Sequence, residues 1–196
     1  MKKIVVMASG SGTLFRALLE SDVGSLVTGL VTDVPGCGAC DIAMVHGVPV
    51  FEIPLVNYES RRLWDIALRE KMLELAPDYI VTAGFMRILD ADFVDSFPNR
   101  IINSHPALLP NFPGAHAVRD ALAAGVTVTG TTVHVIDHGV DTGPILAQES
   151  VVIEQGISEF DLHEQIKRIE RNLLPATVSR VVHSEFSIVD GEAQFS

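Results

Sequence analysis

Only two cysteines occur in 196 residues, and both lie in one Cys37-Gly38-Ala39-Cys40 motif. There is no second CxxC and no HxxxH nearby, so the ligand pattern of a structural zinc site is missing around it. The surroundings of a thioredoxin-like redox motif are missing too, which leaves the pair structural or incidental. Basic residues are scarce: 14 Lys and Arg stand against 25 Asp and Glu, a net charge of −11. That balance argues against a nucleic-acid surface, which needs a basic stripe, but not against a small anion held by a few local cations. No apolar run approaches the ~18 residues of a membrane span. Met1-Lys2-Lys3 and the following Ile4-Val5-Val6-Met7 faintly resemble a secretion signal, but the run stops at Ala8-Ser9-Gly10, too early for one. The expectation is a cytoplasmic protein with neither membrane nor nucleic acid as partner. Repeats, linkers and low-complexity tracts are absent. Hydrophobic residues make up 47% of the chain, enough for a full core.

What is present alternates in period. Lys3–Met7 reads as a buried strand, Leu14–Glu20 as a helix, Leu26–Thr32 as a strand, Cys40–His46 as a helix and Val48–Ile53 as a strand. Ser60–Leu75 reads as a long amphipathic helix with Leu63, Ile66, Ala67, Met72 and Leu75 near one stripe, and Tyr79–Thr82 as a fourth strand. Such βαβ alternation predicts an α/β fold: an open, doubly wound, mostly parallel sheet with helices on both faces. Ligands are then expected at the carboxyl ends of the strands, near a topological switch point. The second half differs. Ile101–Asn103 reads as a short strand and His116–Ala124 as a short helix. Val126–Val135 and Ile145–Ile153 read as an antiparallel pair, and Phe160–His183 as a helical stretch interrupted at Pro175. Phe186–Val189 and Glu192–Phe195 flank Asp190-Gly191, a hairpin signal that adds antiparallel C-terminal strands.

Asn103-Ser104-His105-Pro106-Ala107-Leu108-Leu109-Pro110 is the most informative stretch. Positions i and i+2 of a strand share a face, so Asn103 and His105 aim at one point if the strand continues that far. Asp141-Thr142-Gly143-Pro144 adds a carboxylate at a later loop. Amide, imidazole and carboxylate suit acyl transfer without a covalent intermediate: the first two stabilise an oxyanion and the third helps to move protons. Each residue also has a plain reading. Asn103 and Asp141 serve as turn residues elsewhere, His105 as a structural hydrogen-bonding group, and His134, between Val133 and Val135, faces either core or cleft. Their occurrence together with Pro106, Pro110, Pro113 and Gly114 favours chemistry. None of the seven histidines has a convincing metal-ligand spacing, so no metal is expected. Ser9-Gly10-Ser11-Gly12-Thr13 can present backbone N–H groups to an anion. It is neither GxGxxG nor a Walker A loop, so it is either a mononucleotide phosphate site or a tight turn that needs glycine.

With these motifs the chain resembles the glycinamide ribonucleotide formyltransferases of the folate-dependent formyltransferase superfamily, over essentially its full length. The resemblance is carried by residues 4–12, Ala83-Gly84-Phe85-Met86-Arg87-Ile88-Leu89, residues 102–114, Gly130-Thr131-Thr132-Val133-His134 and Asp141-Thr142-Gly143-Pro144-Ile145. It implies a single Rossmann-like formyltransferase domain over 1–196, with a phosphate-binding half at 1–100 and a folate-binding and catalytic half at 101–196. It also implies transfer of the formyl group of 10-formyltetrahydrofolate, the cosubstrate, to the amine of glycinamide ribonucleotide in purine synthesis. The enzyme would be a monomer or homodimer. By matching position, Asn103, His105 and Asp141 are the catalytic set. Gly10, Ser11, Gly12 and Thr13 hold the substrate phosphate with help from Lys167, and Glu170 contacts the ribonucleotide. Arg61, Met86, Arg87, Ile88, Leu89, Asn103, Val140 and Asp141 meet the folate.

Three features depart from the family pattern, one of them the Cys37/Cys40 pair, which has no recognised functional counterpart there. Thr13-Leu14-Phe15 stands where Ser-Asn-Leu is common, which removes an amide side chain, and Ala107 replaces a common serine. Formyltetrahydrofolate hydrolase shares the catalytic set but normally carries an extra N-terminal domain, and methionyl-tRNA formyltransferase needs a C-terminal domain and a basic face. The expectation is that this chain has none of these. A non-catalytic nucleotide- or folate-binding protein is the rival of another class.

Overall fold

A computed structural model describes residues 2–184 and 186–195. Nine strands and six α-helices are assigned among them. Seven strands form one mostly parallel sheet in the order β3-β2-β1-β4-β5-β6-β7, and β8 and β9 form a separate two-stranded sheet. The chain divides into two compact units, 1–102 and 103–196, with the division inside β5 (Ile101–His105).

In the first unit, β1 (Ile4–Met7) pairs in parallel with β2 (Val27–Thr32) and β4 (Tyr79–Thr82), and β2 pairs in parallel with β3 (Val50–Glu52). All four β1 residues are apolar and buried, the pattern of a central strand covered on both faces. The chain runs outward from β1 to β3, then returns to place β4 on the other side of β1. That reversal makes the β1/β4 boundary a topological switch point. The loops that follow the two strands are tied together there, with Ser9 N–H donating to the Gly84 carbonyl at 3.1 Å.

The helices of this unit are α1 (Thr13–Leu19), α2 (Gly38–His46), α3 (Arg61–Leu75) and α4 (Ala91–Ser96). In α3 the buried stripe is Trp64, Leu68 and Met72, one residue on from the expected start at Leu63, which is 46% exposed. Trp64 sets the phase: its ring is fully buried and its indole N–H reaches the Ile53 carbonyl at 2.7 Å. Helix α4 is not among the elements expected from the sequence. Asp90 caps it by accepting the Phe93 N–H at 2.9 Å, and Phe93, Val94 and Phe97 are buried.

In the second unit, β6 (Val128–Val135) and β7 (Ile145–Val152) pair antiparallel, with an irregularity at Val133/His134. Helix α5 (Ala117–Ala123) and helix α6 (Glu159–His183) supply Val118, Leu162 and Ile166 to a core that includes Val151. Contrary to expectation, α6 is not interrupted at Pro175. An interior proline removes one hydrogen bond and costs about 3 kcal/mol. Here Leu174, Pro175, Val178 and Val181 are all buried, and that burial offsets the loss. Strands β8 (Phe186–Val189) and β9 (Glu192–Phe195) form the expected hairpin. Asp190 and Gly191 both have positive φ, 52° and 81°, as a two-residue type I′ turn requires.

Gly12 sits at φ 74°, immediately before α1. A Cβ there would lie 2.7 Å from Ala39 Cα and 2.9 Å from Ile42 Cδ1, so glycine is what lets α1 approach α2. Gly12→Val combines this clash with left-handed backbone strain. It is expected to lose about 2 kcal/mol or more of stability in urea unfolding. A wild-type unfolding midpoint would show that the α1–α2 contact can relax.

Candidate active site

Strand β5 continues to His105, two residues beyond the expected end, so Asn103 and His105 both belong to it and share a face. Asn103 Nδ2 lies 3.1 Å from His134 Nε2. The other ring nitrogen of His134, Nδ1, is 3.0 Å from the Val135 carbonyl. A carbonyl only accepts, so Nδ1 carries the proton, and in the neutral ring Nε2 accepts an N–H from Asn103. The same Nε2 is 3.5 Å from Asp141 Oδ1. Asp141 Oδ2 accepts the Gly114 N–H at 2.7 Å and lies 3.4 Å from His105 Nδ1. His105 Nε2 donates to the Phe112 carbonyl at 2.8 Å. One connected group thus runs from Asn103 through His134 and Asp141 to His105. Both of its rings are buried.

Asp141 adopts φ 56°, a left-handed position unusual for a residue with a side chain. Its loop is braced: Asp137 Oδ1 accepts from Thr142 Oγ at 2.7 Å and from Gly139 N–H at 3.0 Å, and Val135 N–H donates to the Pro144 carbonyl at 2.9 Å. Burial by itself would raise the Asp141 pKa and is the largest single influence. A His134 Nε2–H, present when that ring carries a second proton, the Gly114 N–H and the charges of His105 and His134 in their protonated forms act the other way. Together they hold the carboxyl below its ordinary value.

On the opposite face of β5, Ser104 Oγ donates to Glu170 Oε1 at 2.7 Å, and Thr131 Oγ1 lies 3.3 Å from the same oxygen. Glu170 is therefore a buried carboxylate held by hydroxyls. Lys167 does not join it; its Nζ pairs with Glu164 at 2.9 Å. Val140, next to Asp141, is half-exposed.

The remaining expected site residues lie in the first unit. Asp33, with a buried side chain, accepts from Ser9 Oγ at 2.5 Å and from Arg87 Nε at 2.7 Å. Ser9 Oγ in turn accepts the Met86 N–H at 3.0 Å. Arg61 donates through Nη2 to the Ile88 carbonyl and pairs through Nε with Asp65 at 2.7 Å. These bonds anchor residues 86–89, while the Met86 and Ile88 side chains stay exposed at 75% and 72%. In the glycine loop, Ser11 and Thr13 are exposed and Gly12 offers no capping side chain, which leaves the first N–H groups of α1 for a ligand. Leu14 is half-buried, beside the fully buried Phe15 and Leu18.

His134, which the sequence leaves between core and cleft, lies between Asn103 and Asp141. The available signal was a histidine inside the Val133–Val135 run, since a buried imidazole needs partners. The Gly114 N–H and Phe112 carbonyl are backbone groups with no such signal.

Residues 2–178 match the family model described as formyl transferase. The chain belongs to the formyl transferase family. A phosphoribosylglycinamide formyltransferase of Mycobacterium tuberculosis is 47% identical over 189 residues, 95% of this chain and 88% of that protein. A phosphoribosylglycinamide formyltransferase of Bacillus subtilis is 33% identical over 93% of this chain and 95% of its own length. Among solved structures, glycinamide ribonucleotide transformylase 1 from Symbiobacterium toebii superposes with a TM-score of 0.94 at 34% identity, covering 100% of this chain and 94% of that one.

The depressed carboxyl of this formyl transferase makes its stability depend on pH. A carboxylate whose folded pKa lies below the unfolded value of about 3.9 contributes stability above that value, and the contribution is lost as pH falls through the folded one. The stability gap between wild type and Asp141→Asn is therefore expected to narrow as pH is lowered from about 5 to 3. Urea unfolding across that range measures it, and a constant gap would contradict the assignment.

Proposed function

We propose that this formyl transferase moves the formyl group of 10-formyltetrahydrofolate to the amine of 5′-phosphoribosylglycinamide, releasing formylglycinamide ribonucleotide and tetrahydrofolate in de novo purine synthesis. The connected Asn103–His134–Asp141–His105 group carries the reading: it supplies donors for an oxyanion and a carboxylate for proton movement. The near full-length similarity to phosphoribosylglycinamide formyltransferases supports this acceptor.

The neutral amine attacks the formyl carbon, the new C–N bond forms, and negative charge gathers on the formyl oxygen. Asn103 has two amide N–H groups. His134 takes one, and we assign the other to that oxygen. His105 adds a donor through Nε2, whose proton rests on the Phe112 carbonyl until substrate arrives. A proton on His105 Nδ1 faces Asp141 and makes the ring a cation beside the developing charge. The intermediate collapses by breaking the bond between the formyl carbon and the folate nitrogen. Asp141, directly or through water, takes the proton that the amine loses and returns it to that nitrogen.

We assign the substrate phosphate to Gly10, Ser11, Gly12 and Thr13, with Lys167, and the ribonucleotide to Glu170. Lys167 must leave Glu164 to do so; a half-exposed pair of this kind is worth about 0–1 kcal/mol and is readily given up. Folate falls to Arg61, Met86, Arg87, Ile88 and Leu89, and to Asn103, Val140 and Asp141. Arg61 acts by fixing the Ile88 carbonyl, and Met86 and Ile88 offer exposed apolar side chains. We read residues 1–100 as the phosphate-binding half of a single domain and 101–196 as its catalytic half. Among the described residues no helix is long and apolar enough to cross a membrane. We place the enzyme in the cytoplasm, as a monomer or homodimer.

His105→Ala and Asp141→Asn are each expected to reduce kcat by about a hundredfold or more, the usual effect of removing an oxyanion donor or proton carrier. Steady-state assays with glycinamide ribonucleotide present and absent measure this. Rates above a third of wild type would remove the residue from the mechanism. Formyl loss at the same rate without the amine would point to hydrolysis instead.

A further inference from the structure

We infer that Cys37 and Cys40 form a reversible disulfide site whose closure alters the Gly10–Gly12 loop. The free sulfurs stand 3.7 Å apart on the first turn of α2, with Cys37 at its N-cap and Cys40 one turn on. Cys37 is partly exposed and Cys40 buried, so Cys37 meets an incoming disulfide first. Burial, followed by the hydrogen bond with Cys37 and that residue's charge, pushes the Cys40 thiol up to about 11. Cys40 therefore stays protonated while Cys37 attacks; the Cys37 hydrogen bond and charge are lost in the mixed disulfide, which eases release of the Cys40 proton for the second, resolving step.

The oxidant is a low-molecular-weight disulfide, RSSR. Cys37 loses its proton, and its thiolate attacks one sulfur of RSSR; a Cys37–SR bond forms and RS⁻ leaves. Cys40 then loses its proton and attacks Cys37 Sγ, which releases the second RS⁻. The two RS⁻ take up the two protons. The cysteine pair is oxidised by two electrons, and RSSR is reduced to two RSH.

The two residues between the cysteines give the pair its reach. Ala39 N–H donates to the Gly10 carbonyl at 3.1 Å. A Cβ on Gly38 would lie 2.9 Å from the Ser11 carbonyl oxygen, and Ala39 Cα lies 2.7 Å from where a Gly12 Cβ would sit. The two backbones are hydrogen-bonded and too close to admit even a methyl group between them, so drawing the sulfurs into a bond moves the turn and the loop moves with it. The effect on activity rests on reading that loop as the phosphate site; the effect on the loop does not.

The test compares the whole protein after oxidised glutathione with the same protein after dithiothreitol. The oxidised form is expected to be lighter by about 2 Da, two hydrogens, while Cys40→Ser takes up one glutathione instead. Dithiothreitol should reverse both changes. Amide hydrogen exchange in residues 8–16 should differ between the two forms. The KM for glycinamide ribonucleotide should rise severalfold on oxidation, with the folate KM unchanged. Failure to form the intramolecular disulfide overturns the proposal, and so does a disulfide that leaves exchange in residues 8–16 unchanged. Altered exchange with a constant ribonucleotide KM upholds the site and its coupling, and removes the phosphate assignment instead.

Discussion

Asp141 holds a largely buried negative charge at a backbone position that few residues adopt, and much of the second unit answers what that charge requires. A buried carboxylate without partners is costly by several kcal/mol. Oδ2 has the Gly114 N–H at 2.7 Å and His105 Nδ1 at 3.4 Å, and Oδ1 lies 3.5 Å from His134, which donates to it once that ring is doubly protonated. The left-handed backbone at Asp141 costs on the order of 1–3 kcal/mol, and it persists because Asp137, Thr142 and the Val135–Pro144 bond hold the loop on either side. A carboxylate kept charged and immobile in this way can exchange a proton without first reorganising its surroundings.

The direction of the hydrogen bonds matters as much as their number. The Val135 carbonyl fixes the proton of the neutral His134 on Nδ1, so Nε2 must accept. That orients Asn103 with its NH₂ toward His134 and keeps the amide a donor rather than an acceptor. Were His134 to gain a second proton, Nε2 would become a donor toward Asp141, 3.5 Å away, and Asn103 would lose its acceptor. One nitrogen cannot serve both neighbours. At 3.1 Å against 3.5 Å, the geometry favours Asn103.

Much of this arrangement was legible in the chain. Asn103, His105 and Asp141 stand in motifs whose residue types have few other uses together, and the Asp190-Gly191 turn follows from its required positive φ. The α3 stripe began one residue late because Trp64, large and with an indole N–H to satisfy, outweighs the periodicity of the smaller Leu63. Pro175 misled because an interior proline is costly locally, while the burial that offsets it comes from distant parts of the chain. His134 was visible but ambiguous, since a histidine between two valines does not disclose which groups it meets. Phe112 and Gly114 act through backbone groups, which every sequence contains.

The first unit uses the same device with different parts. Asp33 is another carboxylate with a buried side chain, and its two oxygens hold Ser9 and Arg87. Through Ser9 it also fixes the Met86 N–H, and so ties the loop after β1 to the loop after β4 at the switch point. Segments of this kind carry too little apolar surface to be positioned by packing, as the exposed Met86 and Ile88 show. Directional bonds to a charged acceptor, each worth about 1.5–3 kcal/mol, can hold them where packing cannot. The cost is a desolvated carboxylate, tolerated because both oxygens are engaged. The apolar side chains of Met86 and Ile88 are thereby left facing outward.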